Sequence, residues 1–124
     1  MTMAVSGDRE TWRDGVETRM LVAASNGSRA LCVFEQWVAP GTGAPSHFHQ
    51  VEEVLSVLAG EAEVWIDGKR FPLRPGQSAV VPARSVHGFS NTGTATLHVH
   101  AVLASASFEA SYEGRSDVVR RWQG

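Results

Sequence analysis

Residues 45–53 read PSHFHQVEE, with His47 and His49 one residue apart and the pair Glu52 and Glu53 just after them. In an extended strand alternate side chains share a face, so His47 and His49 project together while Phe48 points the other way. Two imidazoles placed like this can converge on one ion. A short turn after His49 brings Glu53, at the start of the next strand, toward the same point. One further ligand from a distant strand then completes a metal site, and His87 in PARSVHGFSN is the candidate. By itself an H-x-H pair is also what two surface or hydrogen-bonded histidines on a sheet look like.

The surroundings of the pair carry more information. Gly41 is followed by five residues, His47-x-His49, three residues, Glu53, six residues and Gly60. After fifteen more come Gly76, five residues, Pro82, four residues, His87, three residues and Asn91. This pattern resembles the cupin superfamily, whose two motifs are G-x5-H-x-H-x3,4-E-x6-G and G-x5-P-x-G-x2-H-x3-N. The match runs from Gly41 to Asn91, and nine of the ten fixed positions agree. Arg84 is the departure, standing where the family usually has glycine. A non-glycine residue there costs of order 1 kcal/mol if the turn keeps a positive φ.

The resemblance implies an all-β fold, an antiparallel double-stranded β-helix or jelly-roll barrel, with one divalent metal held by His47, His49, Glu53 and His87. Three imidazoles and a carboxylate suit iron, manganese, nickel, cobalt, copper or zinc. Four protein ligands close a tetrahedral zinc site but leave two positions open on an octahedral ion, room for a chelating substrate or for substrate with dioxygen. Cupins of this size resemble dioxygenases, isomerases, epimerases, cyclases and lyases, and others serve as ligand-sensing modules. The expected function is metal-dependent oxidation of a small organic molecule with dioxygen. The alternatives are isomerase, epimerase or cyclase chemistry without redox change, or ligand binding without catalysis.

Further site candidates follow from position. Arg84 lies near His87 and is either a bidentate donor to a substrate carboxylate or a solvated loop residue. A second pair, His98 and His100 in TLHVHAV, is either a proton shuttle on the cavity wall or two histidines on a solvated face. By alternation Leu55 and Val57 share the face of Glu53, and Phe89 shares that of His87, so these three are expected to wall the pocket. The far ring nitrogen of each metal-binding histidine needs a fixed hydrogen-bond partner, and Ser46, Gln50, Glu52 and Ser85 are near in sequence.

The rest of the chain fits this frame. From about Thr18 to Ser105 short β-branched runs alternate with turns rich in Gly, Pro, Asn and Asp, and the Asp67-Gly68 step is a strong hairpin signal. The 124 residues, with 43% hydrophobic and 19% charged content, make one domain (1–124) with a barrel core near 18–105. Residues 1–17 and 106–124 carry Trp12, Phe108, Tyr112 and Trp122 and are expected to dock on the barrel or on a partner subunit. In EVLSVL both faces are apolar, so the outer one needs a cover, either a second copy or a docked terminus. Trp65, alternating with acids, reads as a surface or subunit-contact aromatic. Together these suggest a homodimer.

A net charge of -2 gives no electrostatic reason to expect nucleic acid, and no stretch reaches membrane-spanning length, so a cytoplasmic protein is expected. Cys32 is the single cysteine, which rules out an internal disulfide and a thiolate metal cluster and reads as buried filler.

Overall fold

The computed structural model describes residues 1–124. The runs between turn residues form twelve strands: β1 (Glu10–Arg13), β2 (Val16–Val22), β3 (Cys32–Val38), β4 (Gly43–Phe48), β5 (Glu53–Ala59), β6 (Ala62–Ile66), β7 (Lys69–Leu73), β8 (Ser78–Val81), β9 (His87–Asn91), β10 (Leu97–Leu103), β11 (Phe108–Tyr112) and β12 (Val118–Arg121). The single helical turn is Ala24–Asn26. No helix is long and apolar enough to cross a membrane.

Two six-stranded antiparallel sheets result, ordered β1-β2-β3-β10-β5-β8 and β12-β11-β4-β9-β6-β7. Their facing surfaces bury one core, the jelly-roll arrangement. Alternation explains which side chains go in. On β10, Leu97, Val99, Ala101 and Leu103 are each no more than 1% exposed, while His98, His100 and Val102 between them stay partly open. Burial of Leu97, Val99 and Leu103 contributes about 1.5–3 kcal/mol each. Cys32 is part of this core, and burial first, then the nearby Glu53 charge, pushes its thiol up to about 12, so it stays protonated and inert.

The terminal segments are strands of the sheets themselves. β1 extends the first sheet beyond β2, and β11 and β12 extend the second beyond β4. Trp12, Phe34, Phe108 and Trp122 form one aromatic cluster, with Trp12 edge-on to Phe108 at 4.8 Å and Phe34 at 5.4 Å from Trp122. Burial of these rings supplies the reason the polar termini fold back.

One expectation changes. The termini do not cover the outer side of β5 and β8, where Leu58 and Val80 stay 51% and 59% exposed. That corrects the terminal-docking alternative, because β1, β11 and β12 pair elsewhere. Trp65 is half-buried, and its indole N–H donates to Ser46 Oγ at 2.9 Å. It covers Gly88, where a Cβ would come within 2.4 Å of the indole ring, and Arg70 packs on its ring at 4.9 Å.

Candidate metal centre

Three strand ends deliver the four side chains. His47 lies on β4 with His49 just beyond its end, His87 opens β9, and Glu53 opens β5 on the opposite sheet. His47 is paired across the sheet with His87 on one side and Tyr112 on the other. Between Ala44 and His47 the register shifts by one residue against β9. Ala44 faces inward, so strict alternation from it would turn Ser46 and Phe48 in and both histidines out. The extra residue of this bulge aims the histidines inward.

All four groups are buried, with His47 6%, His49 2%, His87 1% and Glu53 5% exposed. One ring nitrogen from each histidine lies within 4.8 Å of the others. Glu53 Oε1 is 3.0 Å from His87 Nε2, and Glu53 Oε2 is 3.5 Å from His49 Nε2.

The other ring nitrogens fix the tautomers. Nδ1 of His47, His49 and His87 each donates to a backbone carbonyl, that of Pro45 at 2.7 Å, Glu109 at 2.6 Å and Ser85 at 2.9 Å. A neutral imidazole with its proton on Nδ1 presents a bare lone pair at Nε2. The three Nε2 atoms and a carboxylate then face one small space, where His87 Nε2 and Glu53 Oε1 share a hydrogen bond at 3.0 Å. His49 Nε2 is buried without a hydrogen-bond partner. A cation satisfies this set, so the residues fit a metal ion. Of the sequence candidates for orienting partners, Ser85 serves through its carbonyl, Ser46 holds Trp65 instead, and Glu109 was missed because its strand lay outside the motif.

The electrostatics agree with a site built to bind a cation. Burial, reinforced by the neighbouring His87 and His49, lowers His47 to about 3, so it stays neutral. Burial pulls His49 down too, but the adjacent Glu53 carboxylate, 3.5 Å away, outweighs it and raises its pKa. Burial opposes the Glu53 charge, yet contact with His49 and His87 holds its carboxyl well below the usual range.

The four groups sit at the floor of a narrow inner cavity of about 20 Å³, enough for about two water-sized occupants. Trp12, Arg13 and Tyr112 line it and also line an outer vestibule of about 450 Å³.

Of the expected wall residues, Leu55 and Phe89 line the inner cavity. Val57 does not, and as one step further along β5 it is packed in the core at 1% exposure. His98 and His100 are corrected as site candidates. They stand on the outer face of β10, because the alternate positions fill the core, and His98 Nε2 meets Glu35 Oε1 at 2.6 Å while its ring stacks on Trp37. Arg84 is likewise corrected. It is exposed, outside the cavity, and keeps the turn at φ 65°, its N–H donating to the His49 carbonyl at 2.7 Å. Asn91 ties a turn to the backbone, donating to the Val38 and Ala95 carbonyls.

Missing from the sequence reading were Arg13, Gln36, Phe108 and Tyr112, all on the cavity wall. Period-two alternation in FEASY already puts Phe108, Ala110 and Tyr112 on one face, and Gln36 is the one polar residue on the buried face of β3.

The sequence profile described as Cupin domain matches residues 34–103. A 77-residue segment is 35% identical to the polyketide synthase CurC of Streptomyces cyaneus, covering 61% of this chain and 47% of that protein. Over 89 residues the chain is 32% identical to the HTH-type transcriptional regulator PuuR of Escherichia coli, covering 71% of this chain and 48% of that protein. The chain thus spans about half the length of the curated relatives it matches. Among solved structures, an RmlC-like cupin from Shewanella frigidimarina superposes with a TM-score of 0.71 at 24% identity, over 80% of this chain and 84% of that one, a likeness of fold.

Proposed function

The chain belongs to the cupin family, and from that premise we propose that His47, His49, His87 and Glu53 hold one divalent metal ion for the oxidation of a small organic molecule with dioxygen. One observation carries the reading. Three histidines have Nδ1 tied to carbonyls and Nε2 turned toward a buried carboxylate, which bonds His87 Nε2 and leaves His49 Nε2 without a hydrogen-bond partner. An ion bound there supplies Lewis-acid polarisation of a substrate oxygen and, where redox-active, electron transfer toward dioxygen. The chain's own residues contribute the rest. The carbonyls of Pro45, Glu109 and Ser85 orient the rings, Glu53 balances the charge, and Phe34, Leu55, Phe89 and Phe108 give the inner cavity apolar walls. Four protein ligands leave room for further ligands on an octahedral ion, which supports the oxidative reading over a closed tetrahedral zinc site.

A second reading, Lewis-acid chemistry without redox change, is supported by the shared segment in the polyketide synthase CurC. The test is metal analysis of protein purified without added ions, followed by oxygen uptake against catechols, flavonols and 1,3-diketones. Iron, nickel or copper with oxygen consumption is the expected result. Zinc or manganese without oxygen uptake would replace it with the second reading. Tight ligand binding with no turnover would make the chain a binding module, a role consistent with the segment shared with PuuR.

A homodimer is part of the proposal. Val33, Val102, Val54 and Val80 lie in register across β3, β10, β5 and β8 on the outer face of the first sheet, with Leu58 and Val80 exposed. Light scattering after size exclusion should give twice the 13.4 kDa chain mass, and a monomer would refute it.

A further inference from the structure

Arginines crowd the mouth of the cavity, but they are not equivalent. Arg115 pairs with Asp117 at 2.6 Å, and Arg121 pairs with Glu10 at 3.2 Å while packing on the Trp12 ring. Arg13 has no carboxylate partner. Its guanidinium donates to the Gly43 carbonyl at 3.1 Å and to the Tyr112 hydroxyl at 2.9 Å, both neutral acceptors. Those two bonds leave the rest of its planar fork free. It is half-buried, and it is the one cationic side chain lining the same cavity as His47, His49, His87 and Glu53. Burial lowers its pKa, with the Tyr112 hydroxyl acting against this, yet an arginine remains charged at neutral pH.

Gln36 is a second, independent sign. It is 5% exposed, lines the inner cavity from β3, and its side-chain amide has no hydrogen bond to protein. The amide atoms stay open to the cavity, where a ligand can reach both its donor and its acceptor. An unmatched positive fork at the entrance and an unmatched amide inside describe a receptor for an anion with a further polar group. The narrow inner cavity admits only a small polar head, and the vestibule has room for the remainder.

We propose that Arg13 anchors the carboxylate of the substrate, so that the substrates are small carboxylic acids carrying a second oxygen next to the carboxylate, with Gln36 bonding that head group inside the cavity. The carboxylate replaces the counter-ion Arg13 lacks, and a bidentate pair fixes the orientation of the ligand. This rests on the metal reading for what happens beyond the anchor, but the anchor itself belongs to Arg13.

The test separates the two. Cobalt(II) binding is measured by calorimetry on wild type, Arg13→Gln, Gln36→Met and Arg115→Gln, with thermal unfolding recorded for each. The cobalt-loaded proteins are then titrated with pyruvate and phenylpyruvate, and with the neutral methyl ester of each. The expected result is cobalt binding unchanged within about twofold across the set, while affinity for both acids falls about tenfold or more in Arg13→Gln and several-fold in Gln36→Met. Arg115→Gln should bind the acids as wild type does, since its charge is already paired, and the esters should bind wild type and Arg13→Gln alike. Equal acid affinity in wild type and Arg13→Gln, or no acid bound by wild type, would overturn the proposal. So would an equal loss in Arg115→Gln, which would mean a general positive field. Failure of wild type to bind cobalt would instead sink the metal reading, and titration of the metal-free proteins would then decide the Arg13 anchor on the same comparison. Should Arg13→Gln not fold, Gln36→Met decides, and acid affinity unchanged there would overturn the proposal.

Discussion

The molecule contains the same tripeptide pattern twice, His-Phe-His at the end of β4 and His-Val-His within β10, and uses it in opposite ways. His47 and His49 turn into the space between the sheets and are almost fully buried, with both rings held by carbonyls. His98 and His100 turn out, and His98 forms a surface network with Glu35, Arg19 and Trp37. Spacing alone is identical in the two. What differs is the set of residues competing for the inner face. On β10, four aliphatic residues take it, whereas on β4 a one-residue bulge moves the histidines onto it.

The sharpest way to break this comparison is to remove a ring from each pair. His49→Ala and His87→Ala should each lower affinity for cobalt(II) by about a hundredfold or more, while His98→Ala and His100→Ala should stay within about twofold of wild type by calorimetry. Comparable losses in both pairs would erase the distinction.

Acid should separate the pairs next. In metal-free protein His47 is neutral with a pKa near 3, below its ordinary value of 6.5. The unfolded chain therefore takes up a proton that the folded chain refuses, so stability present above that ordinary value is lost as pH falls toward 3, at up to about 1.4 kcal/mol per pH unit. Glu53, depressed in the folded state, adds a loss at the acid end of the same range, and His49, raised, acts in the opposite direction as pH climbs. Denaturant unfolding in the presence of a chelator should show this acid limb, and it should flatten in His47→Gln but persist in His100→Gln.

Smaller effects test the outer pair. His98→Ala removes one partner of the 10%-exposed Glu35 side chain while leaving Arg19 in place, and should cost about 1 kcal/mol in urea unfolding with metal affinity untouched. Smaller still is Arg84→Gly. Arg84 holds φ 65°, so glycine should gain up to about 1 kcal/mol, read as a raised unfolding midpoint. A loss of metal affinity in that variant would show that the Arg84 loop matters to the site.

The contrast also explains what was legible in the sequence. Gly41 to Asn91 carry their spacing locally, so the jelly roll and the convergence of His47, His49, Glu53 and His87 could be read from the chain. The orientation of His98 and His100 was left open because it depends on which sheet face is already filled. The cavity wall escaped for a related reason. Arg13, Phe108 and Tyr112 come from terminal strands that join the sheets through pairing of Val16–Val22 with Glu10–Arg13 and of Ser111 and Tyr112 with Phe48 and His47, contacts that no local pattern announces. Val57 was misplaced because alternation names a face but not a depth along it.

The most direct measurement is X-ray absorption on cobalt-reconstituted protein combined with metal counting. One ion per chain, with first-shell scattering from about three imidazole nitrogens and carboxylate oxygen that is lost in His49→Ala and kept in His98→Ala, is the result this account requires. An ion bound with fewer imidazoles, or retained unchanged when His49 is gone, would contradict it.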